Sequence, residues 1–271
     1  MAPASHRFPI SLPFLACLMA LFVASCAGNA AQLTPASPTA EAVTASPTTT
    51  PIPPTETPAP APTDSITPTA SPSPAPTEPP YPPENYITNI SGHKQYFSLG
   101  CEASVAKDWA AYFGVQINEF NFQYELPLSD NPDKGFVGDV NGPWGQVPPY
   151  AYGVHAAPVA ELLRQYGLPA QGYKQMTIEQ IKAELGADRP VIAWVVGNME
   201  GGVPAEYTDK EGDTTLVAAY EHVVLVTGYN EKSLRYNSNG KFYDAPTAVF
   251  ENSWGVLDNM AIIYEVEDAS K

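Results

Sequence analysis

A cysteine stands at the start of a predicted helix within residues 92–114. Behind Cys101, apolar residues recur at helical spacing: Val105, Trp109, Tyr112 and Phe113. The thiol therefore falls in the first turn, where unpaired N–H groups and the helix dipole favour the thiolate, the nucleophilic form of cysteine. Gln95 lies just upstream, and its amide could turn back to donate a hydrogen bond to an oxyanion. The alternative for Cys101 is a buried, inert thiol.

A base for such a thiol must come from the histidines. His222 opens the apolar, β-branched run E-H-V-V-L-V-T-G, which predicts a strand that holds the ring rigidly at a sheet rim. His222 is therefore the predicted base, and a structural histidine is the alternative. We expect His155 to belong to a loop wall and His93 to cap a turn.

The N-terminus is typical of an export signal. Residues 1–26 combine a weakly basic start with an apolar run and end in V-A-S-C, which resembles the lipobox of bacterial lipoproteins. That resemblance implies lipidation of Cys26 and an exported, lipid-anchored protein on the cell surface or envelope. An uncleaved anchor and plain secretion are the alternatives. Because Cys17 would leave with the signal, Cys101 would be the only free thiol of the mature domain.

A linker is predicted over residues 27–85. Of the 30 prolines in the 271-residue chain, 17 fall between residues 30 and 83, among Thr, Ser and Ala and with few aliphatic residues. The predicted globular domain covers residues 86–268. From Asn85 onward the chain has 12 Lys and Arg against 24 Asp and Glu, so nucleic acid is not an expected partner.

Helices precede strands in the predicted domain. Helices are expected at residues 101–114, from Pro158 to Gly167 and from a capping box at Thr177 to Gly186. Strands are expected at residues 190–196, 221–228 and 259–266. The turn-rich stretch 119–152 predicts a long loop whose aromatic residues either line a cleft or pack on the core: Phe136, Trp144, Tyr150 and Tyr152. The order of elements indicates an α+β domain with N-terminal helices packed on an antiparallel sheet.

These motifs together resemble a known family. The order Q-x5-C-E-A-S, an aromatic helix and then E-H-V-V-x-V-x-G-Y is similar to the papain-like cysteine peptidases related to the bacteriocin-processing, double-glycine leader peptidases, over residues 89–264. The resemblance implies that Cys101 is the nucleophile, Gln95 the oxyanion donor and His222 the general base. It also implies hydrolysis of peptide bonds through a thioester, and it makes Phe250 and Trp254 core residues of a packing helix.

The third catalytic residue departs from that pattern. The family usually places Asp, followed by Pro, about sixteen residues beyond the histidine, whereas this segment reads R-Y-N-S-N-G. Ungapped counting puts Ser238 at the Asp position. Because an Asn carbonyl can accept the ring N–H, Asn237 is our predicted orienting residue, with Ser238 and Asn239 as alternatives.

Two other classes of function stay open at this stage. The missing Asp is compatible with a peptidase-fold binding module of low or no activity, and the same acyl-enzyme chemistry could serve an amidase or transferase acting on cell-wall peptides. We expect a monomer with a peptide or protein substrate and no cofactor. No metal site is expected, because Cys and His lack ligand spacing and the acidic loop Asp209, Glu211, Asp213 lacks a full calcium-loop pattern.

Overall fold

The structure, a computed structural model, describes residues 80–266. The predicted signal segment with Cys26, and the predicted linker up to residue 79, lie outside the described residues, as do the last two residues of the predicted domain.

Five helices and nine strands make up residues 80–266. The helices are α1 (Cys101–Tyr112), α2 (Glu119–Glu125), α3 (Ala156–Gln165), α4 (Ile178–Gly186) and α5 (Thr247–Gly255). The strands are β1 (Asn85–Tyr86), β2 (Ala170–Tyr173), β3 (Val191–Val196), β4 (Ala205–Thr208), β5 (Thr214–Val217), β6 (Glu221–Tyr229), β7 (Ser233–Ser238), β8 (Lys241–Pro246) and β9 (Ala261–Tyr264). None of these helices combines the length and apolar character needed to cross a membrane.

Seven strands form one antiparallel sheet in the order β2-β9-β3-β6-β7-β8, with β1 added beside β6. The strands β3 and β6 lie at its centre, and their apolar runs are buried almost throughout. Val195 of β3 pairs with His222 of β6, which fixes the histidine at the end of the sheet. The α+β prediction with helices and an antiparallel sheet is confirmed.

The helix α1 packs its apolar side against the centre of the sheet. Trp109 is fully buried, and its indole N–H donates to the carbonyl of Pro190 at 2.8 Å, just before β3. The helix ends before Gly114, whose φ of +84° lies in the left-handed region that glycine adopts without strain. Cys101 is the first residue of α1, as the sequence predicted.

The predicted loop 119–152 is wrong at its beginning, because α2 occupies Glu119–Glu125. The Asn118 side chain caps this helix by accepting the N–H of Asn121 at 3.1 Å, and Phe122 is fully buried beneath it. One buried aromatic side chain and one N-terminal cap are enough to stabilise this seven-residue helix, because it packs against the rest of the domain.

Three hairpins were not predicted from the sequence. They are β4–β5, which forms a separate two-stranded sheet, and β6–β7 and β7–β8, which extend the main sheet. Asn239 and Gly240 form the β7–β8 turn with φ of 53° and 80°, as a two-residue hairpin turn requires. Because β7 runs antiparallel to β6, with Asn237 opposite Leu225, Ser238 returns to the end of β6 that carries His222.

The core predictions for α5 are confirmed. Phe250 and Trp254 are fully buried, and the N-S-W-G tetrapeptide belongs to this packing helix. Ser253 both accepts from the N–H of Val196 and donates to its carbonyl, at 3.0 and 3.1 Å. This segment therefore supports the end of β3.

We predict that Thr177→Ala lowers the free energy of unfolding by about 1 kcal/mol. The Thr177 hydroxyl accepts the N–H of Gln180 at 3.2 Å, and the Gln180 side chain accepts the N–H of Thr177 at 2.8 Å, so α4 begins with the predicted capping box. Urea denaturation of wild type, Thr177→Ala and Thr177→Ser measures the effect. Since Ser retains the hydroxyl, an equal loss in both variants would argue against the cap as the cause.

Candidate active site

Cys101 and His222 line the same cleft, of about 480 Å³. The first turn of α1 carries the cysteine, and the second residue of β6 carries the histidine. Gln95 lies in the segment that leads into α1, and Ser238 and Asn239 come from the end of β7 and its turn. The remaining lining residues are Lys94, Tyr96, Phe97, Ser98, Trp144, Asn198, Lys241 and Tyr243. The structure therefore brings most of the predicted site residues together.

The Cys101 thiol is turned towards a carboxyl group. Its Sγ donates to Glu102 Oε2 at 3.2 Å, and no hydrogen bond joins it to His222. Burial raises the pKa of Cys101 well above its ordinary value, and the charge of Glu102 acts in the same direction. The expectation that the helix N-terminus makes Cys101 a thiolate is thus wrong for this geometry, because burial and the neighbouring Glu102 carboxylate outweigh the helix dipole.

The His222 ring contacts a serine hydroxyl. His222 Nε2 lies 2.8 Å from Ser238 Oγ, and among residues 80–266 Nδ1 makes no hydrogen bond. Enclosure of most of the ring lowers the pKa of His222 to about 4. A hydroxyl contributes little to offset this, since it carries no negative charge to stabilise an imidazolium. His222 is therefore neutral at pH 7.

Asn237, the predicted orienting residue, does not contact His222. Successive residues of a strand point to opposite faces, so Asn237 and Ser238 cannot both face the histidine. The Asn237 side chain lies against Gly92 instead, and its Oδ1 accepts the N–H of Gly240 at 3.2 Å. The prediction of Asn237 is therefore wrong: the residue that contacts the His222 ring is Ser238, the alternative that lies at the family's Asp position.

Gln95 lies beside Cys101 with its amide already engaged. Its Nε2 donates to the carbonyls of Phe97 at 2.8 Å and Ser98 at 3.1 Å, and its backbone N–H donates to Asn239 Oδ1 at 2.9 Å. These bonds fix the segment before α1. The Gln95 amide can donate to an oxyanion only if it gives up its hydrogen bond to the Phe97 or the Ser98 carbonyl.

Two buried glutamates next to the thiol were not singled out in the sequence. Glu102 follows Cys101 in α1, and Glu221 precedes His222 in β6; their side chains are almost completely buried. Burial raises the pKa of Glu102 to about 7, and burial together with the charge of Glu102 raises that of Glu221 well above its ordinary value. The only sequence signal was their position beside the two predicted catalytic residues.

Among residues 80–266, two groups of side chains bring carboxylate or thiol atoms close together. Cys101, Glu102 and Glu221 place one donor atom each within 4.8 Å of one another. The second group is the acidic loop Asp209, Glu211 and Asp213, where the Lys134 ammonium contacts all three carboxylates at 2.5 to 2.7 Å. The Lys134 ammonium thus occupies the position between the three carboxylates and neutralises part of their negative charge.

The two other histidines of residues 80–266, His93 and His155, have structural partners. His93 bridges Asp108 and Glu119, with ring nitrogens 2.7 and 2.9 Å from their carboxylates. His155 is fully buried and contacts Asp133 at 2.8 Å, so the expectation that it lines a loop wall is wrong.

The aromatic residues of the long loop divide between cleft and core. Trp144 borders the cleft, half-exposed, and its indole donates to the carbonyl of Glu221 at 2.9 Å. Phe136 and Tyr152 are buried, and Tyr150 is exposed. Trp144 therefore forms the wall of the cleft next to His222.

Comparison with known proteins gives a family match over most of the chain. The sequence model described as Peptidase_C39-like matches residues 81–262. A structure described as a C39-like peptidase from Bacillus anthracis is similar at 20% identity and a TM-score of 0.59, covering 68% of this chain and 98% of that one. At this identity the similarity concerns the fold.

Two further structures are less similar. One is a double glycine motif protease from an AMS/PCAT transporter in complex with the leader peptide, at 18% identity and a TM-score of 0.40, covering 66% of this chain and 96% of that one. The other is xylellain, a cysteine protease from Xylella fastidiosa, at 14% identity and a TM-score of 0.40, covering 69% and 87%. No curated protein sequence matches this chain.

We predict that Ser238→Asp raises the pKa of His222 by about 1 to 3 units. A carboxylate in place of the hydroxyl would lie against Nε2 and stabilise the imidazolium, which the serine does not. NMR titration of the ring protons measures the change, starting from a wild-type pKa of about 4. Asn237→Asp is the matched control: it adds the same charge one residue away on the opposite face, so a shift of equal size there would contradict the geometry.

Proposed function

The chain belongs to the Peptidase_C39-like family, and from this membership we propose that it is a cysteine peptidase whose nucleophile is Cys101. The observation that carries the proposal is the convergence of Cys101 and Gln95 with His222, which lies more than a hundred residues further along the chain, on one cleft. A cysteine and a histidine that face one substrate-sized cleft are the minimum for nucleophilic catalysis on a carbonyl group. An aromatic wall at Trp144 suits a peptide substrate.

The proposed reaction proceeds in two stages. The Cys101 sulfur attacks the scissile carbonyl while His222 takes the thiol proton and passes it to the departing amine, which leaves a thioester. A water molecule, deprotonated by His222, then hydrolyses the thioester and releases the second product. In the resting geometry the thiol faces Glu102, so it must first rotate towards the histidine.

The developing oxyanion has two candidate donors. The backbone N–H of Cys101 belongs to the first turn of α1, where N–H groups lack intrahelical acceptors. Gln95 provides the second donor after one of its bonds to the Phe97 and Ser98 carbonyls is exchanged. Removal of one such donor typically costs ~100-fold or more in kcat.

We predict that the protein cleaves members of a peptide library and that Cys101→Ala abolishes cleavage. His222→Ala should lower kcat by about 100-fold or more, because general acid–base catalysis contributes an effect of that size. Mass spectrometry of the products gives the cleaved bonds. Adding amine acceptors distinguishes hydrolysis from transfer, since a transferase would form the amide product.

The absence of cleavage in a broad library would instead support a peptidase-fold binding module. In that case wild type and Cys101→Ala should bind the same peptides with equal affinity, which isothermal titration would detect. A peptidase, by contrast, should form a thioester on Cys101, which mass spectrometry of the acid-quenched protein would detect as the mass of the acyl fragment.

We also propose that the protein is exported and held at the membrane by a lipid on Cys26. The V-A-S-C sequence after an apolar run supports this, and the Pro/Thr/Ser-rich residues that follow would separate the peptidase domain from the membrane.

We predict that Cys26→Ala moves the protein from the membrane fraction to the soluble fraction or blocks its maturation. Radiolabelled fatty acid incorporation and cell fractionation measure this, with Cys17→Ala as the matched control that should remain lipidated. Secretion of unlipidated wild type into the medium would refute the anchor.

A further inference from the structure

Two carboxyl groups and a thiol share one enclosed site behind the cleft. The side chains of Glu102 and Glu221 are 1% and 3% exposed, and one oxygen of each lies within 4.8 Å of Cys101 Sγ and of the other. Gly153 forms the floor of this site: a Cβ there would collide with Glu102 Oε1 and lie 3.1 Å from Glu221 Oε2. The chain thus makes room at position 153 for both carboxyl groups.

Hydrogen-bond donors are divided unequally between the two glutamates. Glu102 Oε1 accepts the N–H of Val154 at 2.7 Å, and its Oε2 accepts the thiol of Cys101 at 3.2 Å. Glu221 Oε1 is buried and has no hydrogen-bond partner. Since donors stabilise a carboxylate and an unpartnered buried charge is costly, the negative charge belongs on Glu102 and the proton on Glu221.

We propose that Glu102 is a positioning residue that holds Cys101 as a protonated thiol turned away from His222, and that neutral Glu221 confines the single negative charge of the pair to Glu102. The inference rests on the proposed role of Cys101 as the nucleophile. To that function the inference adds a resting state, in which the Cys101 thiol is protonated and donates a hydrogen bond to Glu102.

The surroundings offer nothing to neutralise a second negative charge. Within residues 80–266, no ion pair joins Lys, Arg or His to either glutamate. The titratable groups that face the pair are the Cys101 thiol from α1 and the Tyr152 phenol from the long loop. Burial raises the pKa of Tyr152 well above its ordinary value, so it stays neutral. On the cleft side, His222 is turned to Ser238.

The charge on Glu102 sets the direction of the pH dependence. Because its pKa is about 7, lowering the pH through this value neutralises Glu102 and removes the repulsion that a thiolate would meet. At higher pH the carboxylate persists and favours the thiol. The thiol form is also less readily oxidised than the thiolate, which suits Cys101 as the single cysteine of residues 80–266.

The test is the rate of iodoacetamide alkylation of Cys101 against pH in the full-length protein, followed by mass spectrometry of the peptide that carries Cys101. In Glu102→Gln, the amide oxygen can remain with the Val154 N–H, so that the amide nitrogen faces the sulfur and donates to a thiolate. We expect the alkylation midpoint to fall by about one pH unit or more, which is a tenfold or greater acceleration below the midpoint.

Glu221→Gln is the matched control. It replaces a neutral acid with a neutral amide beside an unchanged Glu102, so its alkylation profile should stay within about twofold of wild type. An unchanged profile in Glu102→Gln, or equal shifts in both variants, would overturn the proposal. A shift without any peptide cleavage would leave the resting state established and remove only the peptidase assignment.

An infrared measurement on the wild type is independent of how the variants fold. The C=O stretch of a protonated carboxylic acid should persist at pH 8, should be lost in Glu221→Gln and should be retained in Glu102→Gln. Absence of this band in the wild type would show that both carboxyl groups are ionised and would likewise overturn the proposal.

Discussion

The packing of the first turn of α1 against the first residues of β6 is the contact on which the site depends. It places Cys101 and Glu102 beside Glu221 and Val223, and it carries His222 to the adjoining rim of the sheet. Trp109, further along the same helix, fixes the depth of this contact through its bond to the Pro190 carbonyl. A helix start that would be solvated in an open structure is enclosed here. That enclosure reverses the electrostatic effect expected of a helix N-terminus, because desolvation and the Glu102 carboxylate act on the thiol together.

The parts of the fold that were predicted correctly have local causes. The cap at Thr177 and the stop near Gly114 depend on a few adjacent residues, and the apolar runs of β3 and β6 identify central strands without further context. The helix α2 was missed because its single buried anchor, Phe122, lies in a segment dominated by turn formers. The β7–β8 hairpin was missed although Asn239-Gly240 between two alternating segments is a strong local signal for such a turn.

In the candidate site, too, the residues with a local sequence signal were predicted and those that depend on long-range contacts were not. Cys101 and His222 could be chosen from their positions at the starts of predicted elements. To choose between Asn237 and Ser238, one must know which residues of β7 face His222, because neighbouring residues of a strand point to opposite faces of the sheet. Once the hairpin register is known, only Ser238 faces the histidine. The glutamates could not be identified as buried from the sequence, because their burial arises from the contact between two elements far apart in the chain, and an isolated Glu is usually exposed.

The charges of the resting site bear on how a thiol here could become a nucleophile. A preformed thiolate–imidazolium pair needs support for both ions, yet Ser238 offers His222 no negative partner and Glu102 places a negative charge beside the sulfur. Both features favour the neutral pair, so loss of the thiol proton is best coupled to attack on the carbonyl. In such a step the negative charge passes through the sulfur to the substrate oxygen. In the proposed reaction that oxygen would lie near the N–H groups at the start of α1, so the same helix N-terminus that fails to stabilise a resting thiolate would stabilise the oxyanion.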